Sequence, residues 1–139
     1  MENKEKNLFK VFVAGIIFDP AKRKILIARK ENDSYLKGVT WCFPGAKLMN
    51  GDDMDKKLKS QIKEKTGYEI KNLGAIFSKI YPEQEDLMAV YFLCEVFKGE
   101  KKAGGDLIEL KWVYPKELEN YFTTSFHRKL KKFLLELVE

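Results

Sequence analysis

The chain has 139 residues, 45% of them hydrophobic and 34% charged, and this length predicts one domain over residues 1–139 with a flexible tail at 1–7. No apolar run approaches the roughly 20 residues of a membrane span, and the polar start lacks the apolar stretch of a secretory signal. The formal net charge of +5 comes mostly from short lysine runs typical of solvated surfaces, so a small anionic ligand is favoured over nucleic acid.

The first part of the chain predicts two strands and a short extended segment. Residues 10–18 are rich in β-branched and aromatic side chains, as strands are. A turn at 19–23 contains aspartate and proline, and residues 24–30 return as the second strand. A loop at 31–40 then leads into residues 41–45, which end in Pro-Gly.

A helical period follows at residues 52–66. Met54, Leu58 and Ile62 recur every four residues and predict one apolar stripe buried against a mixed sheet. Acidic residues gather at the start of this segment, where the helix dipole favours negative charge. Gly67 stands just past its end, where a left-handed cap residue is expected.

The second half of the chain predicts strands and then helices. We expect strands at 68–81 (with a break near Asn72), 87–97 and 107–113, a loop at 99–106, a short helix opened by Pro115, and an amphipathic helix at 125–138. This order predicts an α+β fold, and it is not the regular strand–helix alternation of dinucleotide-binding proteins.

Residues 41–68 resemble the Nudix box. That motif runs glycine, five residues, glutamate, seven residues, then Arg-Glu-apolar-x-Glu-Glu-x-Gly-apolar. When Gly67 and Tyr68 are aligned with its end, Ala46 falls at the leading glycine and no insertion or deletion is needed. The flanking strands and the segment around Trp112 also fit, so the resemblance covers nearly the whole chain. It implies a Nudix-type α/β/α sandwich with a mixed β-sheet.

Most polar positions of the box differ from the family pattern. Asp52 stands at the first glutamate, Ser60 at the arginine and Gln61 at the next glutamate. Glu64 matches the first of the paired glutamates, whereas Lys65 replaces the second. Because helix residues at i, i+3 and i+4 share a face, only one of the three side chains expected to converge there is a carboxylate.

The resemblance implies a phosphoanhydride hydrolase that uses Mg2+ or Mn2+, which are cations that carboxylates hold. For this chain we expect Glu64 as the catalytic residue and as a metal ligand, with Gln61 and Asp52 as weak further ligands. An ammonium about 4 Å from a unit positive charge costs roughly 4 kcal/mol at an effective dielectric of 20, and a divalent ion doubles that. Lys65 therefore predicts that metal binding is weak or absent.

The favoured hypothesis is a Nudix-family protein that binds a nucleotide or other diphosphate compound, with hydrolysis weak or lost. Lys65, Lys47 and Arg29 would hold the phosphates, and Trp41 would stack on a base. The alternative is an operative pyrophosphohydrolase in which Glu64 acts with Asp52 or with carboxylates of the loop at 83–86.

Plainer interpretations of several residues stay open. Lys65 also suits a helix-end cation and Asp52 a helix-start residue, and Trp41 also suits core packing. Cys42 and Cys94 lie in apolar segments, which favours free buried thiols and a cytoplasmic protein. The prenyl diphosphate isomerase branch of the fold needs metal-binding histidines, which one histidine cannot supply. The identity of the ligand and a homodimeric state are left open.

Overall fold

The computed structural model describes residues 9–30, 41–122 and 128–137, without the side chains of residues 128 and 129. Within these residues the strands are β1 (Lys10–Asp19), β2 (Lys24–Arg29), β3 (Trp41–Cys42), β4 (Gly45–Lys47), β5 (Tyr68–Tyr81), β6 (Gln84–Gly99) and β7 (Glu109–Val113). The helices of the same part of the chain are α1 (Met54–Thr66), the 3-10 helix η1 (Pro115–Asn120) and α2 (Arg128–Leu137).

All of these strands belong to one mixed sheet. Its main order is β3-β2-β1-β6-β5, while β4 pairs with β1 and β7 pairs with β2. β1 and β6 run parallel over nine paired residues from Lys10 to Phe18, and the other pairings are antiparallel. A central strand covered on both faces is expected to be continuously apolar. β1 fits this rule, since every residue from Val13 to Ile17 is buried.

Two apolar clusters lie on opposite faces of the sheet. α1 covers the first, which contains Val13, Ile17, Leu26, Ala28, Leu58, Ile62, Ile70, Phe92, Cys94, Leu107 and Leu110. η1 and α2 cover the second, which contains Ala14, Ile16, Ile25, Ile27, Phe43, Ala89, Tyr91, Val113, Leu118, Leu130 and Leu134. Neighbouring residues of β1 and of β2 alternate between the clusters, as strand geometry requires. The predicted α/β/α sandwich with a mixed sheet is therefore confirmed.

The helix predicted in the box region is present as α1. Leu58 and Ile62 are fully buried, as expected, but Met54 is 41% exposed and the prediction for it was wrong. A spacing of four residues advances 400° around a helix, so each step drifts by about 40°. Met54 consequently lies about 80° around the axis from Ile62, and the buried stripe continues to Thr66 instead.

Some element limits differ from the expected ones. The turn between β5 and β6 takes only two residues, so β6 begins at Gln84 rather than at residue 87, and Glu85 and Asp86 lie in a strand. The expected irregularity near Asn72 is confirmed by a register shift between Asn72 and Ala75. The predicted loop at 31–40, His127 and the first residues of the last helix lie outside the described residues.

Candidate functional site

The two ends of α1 place the box residues. Asp53 is the N-cap, and its side chain accepts a hydrogen bond from the backbone N–H of Lys56 at 2.9 Å. Gly67 ends the helix in the left-handed region, with φ 81°, so the predicted cap is confirmed. A side chain there would collide with the carbonyl oxygen of Glu100, because a Cβ would lie 2.1 Å from it. The loop after β6 therefore packs directly on this end of the helix.

The Lys65 side chain lies between that loop and the short strand β4. Its Nζ donates to the carbonyl oxygen of Gly45 at 2.8 Å and lies 3.3 Å from Oδ1 of Asp106. The side chain is only 14% exposed, whereas that of Asp106 is 54% exposed. An ammonium is thus held between a backbone oxygen and a carboxylate, with its charge partly shielded from water.

Glu64 directly precedes Lys65 in α1 and is exposed. Its Oε2 and the aliphatic part of Lys65 both approach Gly105, at 3.6 Å and 3.2 Å from the point where a Cβ would lie. Gln61 is half-buried on the same helix. Ser60, at the arginine position of the box, donates only to the backbone oxygen of Lys57, at 3.2 Å.

Asp52 lies at the opposite end of the helix. Its Oδ2 accepts a hydrogen bond from the backbone N–H of Met49 at 2.7 Å and pairs with Lys57 at 3.4 Å. The hydrogen bond from Met49 is the main reason that the pKa of this carboxyl is lowered. Ten residues of helix between Met54 and Glu64 span about 15 Å. The structure therefore does not bring Asp52 together with Glu64.

The other predicted phosphate and base contacts form two groups. Lys47 ends β4, two residues after Gly45, and is half-buried. Arg29 and Trp41 face each other across β2 and β3. The Arg29 guanidinium lies 6.0 Å from the centre of the Trp41 ring, and its Nε donates to Glu109 at 2.8 Å. Lys47 is thus in the same short strand as the Gly45 carbonyl that Lys65 contacts, and Arg29 lies beside Trp41.

Trp41 itself is half-buried and packs against the second cluster, where its ring meets Tyr121 edge-on at 5.2 Å. The neighbouring Phe43 is buried and meets Tyr91 edge-on at 5.9 Å. The hydroxyl groups of Tyr81 and Tyr91 lie 3.1 Å apart, and burial raises the pKa of Tyr91 well above its ordinary value. These rings pack together on this face of the sheet, and the predicted stacking role of Trp41 stays a prediction.

The acidic segment at 83–86 lies at another end of the sheet. Asp86 pairs with Lys10 at 3.1 Å and accepts from Gln84 at 2.7 Å. Lys10 precedes Ala14, the β1 partner of Gly45, by four residues, which is about 13 Å along a strand. The segment is thus far from the Lys65 ammonium.

Sequence reasoning missed Asp106 and the carbonyl of Gly45. Asp106 lies in a glycine-containing loop without any periodic pattern, and a backbone oxygen leaves no signal in side-chain identity. Burial raises the pKa of the Cys94 thiol to about 12, and neither Cys94 nor the half-buried Cys42 is part of a disulfide bond. Across residues 9–30, 41–122 and 128–137, no group of three or more His, Cys, Asp or Glu side chains is arranged to hold a metal ion. No helix in that part of the chain is long and apolar enough to cross a membrane.

Comparisons with known proteins agree with this fold. A family model described as the NUDIX domain matches residues 9–134. A MutT structure, from work on the Aliivibrio salmonicida and Vibrio cholerae proteins, is 21% identical with a TM-score of 0.69, covering 91% of this chain and 96% of its own. A Nudix hydrolase from Nitrosomonas europaea is 17% identical with a TM-score of 0.75, covering 93% and 72%.

An ADP-ribose pyrophosphatase from Streptococcus suis is similar too, at 18% identity and a TM-score of 0.62, covering 93% of this chain and 88% of its own. Among functionally curated proteins, none matches the chain significantly. At these identities the likeness to solved structures concerns the fold.

Proposed function

The chain belongs to the Nudix domain family, and we propose that it binds a nucleoside diphosphate-linked or other diphosphate compound while metal-dependent hydrolysis is weak or lost. The observation that carries the proposal is the position of Lys65. Its ammonium replaces a box carboxylate and is held at 2.8 Å on the carbonyl of Gly45 and 3.3 Å from Asp106. An ammonium attracts phosphate oxygens as a point charge.

The residues at this position do not fit a tightly held divalent cation. Mg2+ and Mn2+ need several oxygen ligands, yet the oxygens of Gly45 and Asp106 already accept an ammonium. A divalent ion brought to about 4 Å from that ammonium would meet a repulsion of roughly 8 kcal/mol at an effective dielectric of 20. Glu64 is left as the one box carboxylate nearby, so we expect weak binding of these ions.

Two carboxylate groups were candidates for rebuilding an operative hydrolase. Asp52 precedes the helix, whose span from Met54 to Glu64 is already about 15 Å. Asp86 lies about 13 Å along β1 from the level of Gly45 and is paired with Lys10. Neither position supports a metal ion shared with Glu64, which favours ligand binding over hydrolysis.

One of the similar structures suggests a ligand to try. It is an ADP-ribose pyrophosphatase, so ADP-ribose is a suitable probe, with inorganic pyrophosphate as the minimal one. Calorimetry in the presence of a chelator should detect binding of at least one of these probes. Phosphate release with Mg2+ or Mn2+ should stay near the rate without protein.

Lys65→Glu tests directly whether Lys65 contacts the phosphates of the ligand. Without metal, the change places a negative charge against a negative ligand, and affinity should fall about tenfold, as for a lost charge-assisted hydrogen bond. With Mg2+, the added carboxylate should tighten metal binding and raise hydrolysis, more so when Gln61→Glu is added. Lysine and glutamate have similar helix propensity, so the helix should tolerate the change.

Lys63→Glu is the matched control, since it makes the same charge change on the same helix. Lys63 is exposed and pairs loosely with Glu69 at 3.9 Å, so ligand affinity should change little. Rapid hydrolysis by the unaltered protein with Mg2+, abolished by Glu64→Gln, would refute the proposal and establish the operative hydrolase.

A further inference from the structure

The loop between β6 and β7, residues 100–108, is fastened to the C-terminal end of α1. The backbone N–H of Lys102 donates to the carbonyl of Thr66 at 2.8 Å, and that of Gly104 donates to the carbonyl of Lys65 at 3.0 Å. The last four carbonyls of a helix have no partner within the helix, and here the loop supplies partners for two of them. The loop is thus built onto the residue that carries the ammonium.

The same loop is fixed beyond Asp106 as well. Leu107 is buried in the cluster under α1 and donates through its N–H to the carbonyl of Gly104 at 3.0 Å. The N–H of Ile108 donates to the carbonyl of Arg29 at 2.8 Å, on strand β2. The backbone on both sides of Asp106 is therefore held, and its carboxylate is presented from a fixed point.

We infer that Asp106 is a positioning residue, which holds the Lys65 ammonium on the Gly45 carbonyl and keeps it available to an anionic ligand. An ammonium has three N–H donors; the Gly45 carbonyl accepts from one of them, and the Asp106 carboxylate pairs with the charge at 3.3 Å. Fixing a lysine side chain costs rotamer entropy, so one neutral acceptor alone holds it poorly.

The carboxylate also has an electrostatic consequence for the ligand. Asp106 lies 3.3 Å from the ammonium, so its negative charge opposes any phosphate that approaches the same ammonium. The positioning of Lys65 and the repulsion of the ligand can be tested separately, because Asp106→Asn keeps the acceptor oxygen and removes the charge. This part of the inference rests on the proposed function, whereas the positioning of Lys65 does not.

The test is the side-chain ammonium signal of Lys65 in proton–nitrogen NMR, identified by its disappearance in Lys65→Arg. An ammonium held by a hydrogen bond and a paired carboxylate gives a resolved signal, whereas one that rotates and exchanges with water does not. The signal should be lost in Asp106→Ala and kept in Asp106→Asn. Glu69→Ala is the matched control. It removes an acidic partner of Lys63, a lysine on the same helix as Lys65, and should leave the Lys65 signal unchanged.

Inorganic pyrophosphate, titrated without metal, gives the second readout. Asp106→Asn should bind it several-fold more tightly than the unaltered protein, since a repelling charge is gone while the ammonium stays in place. A Lys65 signal that survives in a folded Asp106→Ala protein would overturn the inference. If neither ADP-ribose nor pyrophosphate binds but the signal still depends on Asp106, the proposed function fails and the positioning of Lys65 stands.

Discussion

The two ends of α1 are held in different ways. At the first end both caps are local and exposed, since Asp53 caps Lys56 and Asp52 accepts from Met49, each three residues away, and Asp55 accepts one hydrogen bond from the more distant Asn72. At the other end the partners come from distant segments of the chain. Gly45 lies 20 residues before Lys65, and Asp106 lies 41 residues after it.

This difference distinguishes the first end, which is a helix cap, from the second end, which is the candidate binding site. Local caps satisfy backbone groups that any helix leaves open, and they serve the helix alone. The distant end brings a strand, a loop and a charged side chain to one point, and every partner there depends on the tertiary fold. Changes at the first end should therefore affect stability only, whereas changes at the second end should affect ligand binding too.

The largest effect should come from the apolar stripe that joins both ends to the sheet. Ile62 is fully buried beneath α1, so Ile62→Ala should lower the free energy of unfolding by about 2–5 kcal/mol. Urea denaturation measures this loss. Met54→Ala is the control from the same helix, and because Met54 is 41% exposed its loss should be much smaller. Equal losses would show that both residues are equally buried in solution.

A matched pair of glycines tests the contrast between the ends. Gly51 and Gly67 both have positive φ, 86° and 81°, so alanine should cost roughly 1–2 kcal/mol of strain at either. Nothing lies within 4 Å of a Cβ at Gly51, whereas at Gly67 the carbonyl of Glu100 lies 2.1 Å away. Gly67→Ala should therefore cost about 1–3 kcal/mol more and weaken pyrophosphate binding. Similar losses in urea denaturation would mean that the loop at residues 100–108 moves aside for the added methyl group without a measurable cost.

The part of this picture that the sequence could predict is the local part. Apolar spacing and Gly67 were enough to predict α1, its sheet-facing residues Leu58 and Ile62, and its C-terminal cap. The partners of Lys65 could not be predicted, because one is a backbone oxygen and the other follows a glycine loop without periodicity. The charge change at Lys65 was visible in the box, but its consequence depends on contacts that only the fold creates.

The N-cap should give a smaller effect than the glycines. Asp53→Ala removes the acceptor for the Lys56 N–H and should lower the free energy of unfolding by about 1 kcal/mol. Asp53→Asn keeps an acceptor oxygen and should lose little. Neither variant should change pyrophosphate affinity, measured by calorimetry without metal. A clear loss of affinity in Asp53→Ala would show that the two ends of α1 are coupled.

The smallest expected effect is on the free energy of unfolding at acid pH, and it again concerns the first end of α1. The Asn72 side chain, and then Lys59, lower the pKa of Asp55, and the Met49 N–H is the main cause of the lowered pKa of Asp52. The ordinary value is 3.8, so each carboxylate stabilises the folded protein above about pH 4, and this contribution is lost as the pH falls through the lowered pKa.

A double variant, Asp52→Asn with Asp55→Asn, removes both titrations. In urea denaturation it should be slightly less stable than the unaltered protein at pH 7, and the difference should shrink as the pH falls below about 4. The difference shrinks because both pKa values are lowered in the folded state. Protonation at low pH removes from the unaltered protein the stabilisation by the ionised carboxylates, which the variant lacks at every pH. A difference that stays constant from neutral to acid pH would mean that these hydrogen bonds do not favour the ionised carboxylates. The first end of α1 would then owe its stability to the Asp53 cap and to the buried stripe.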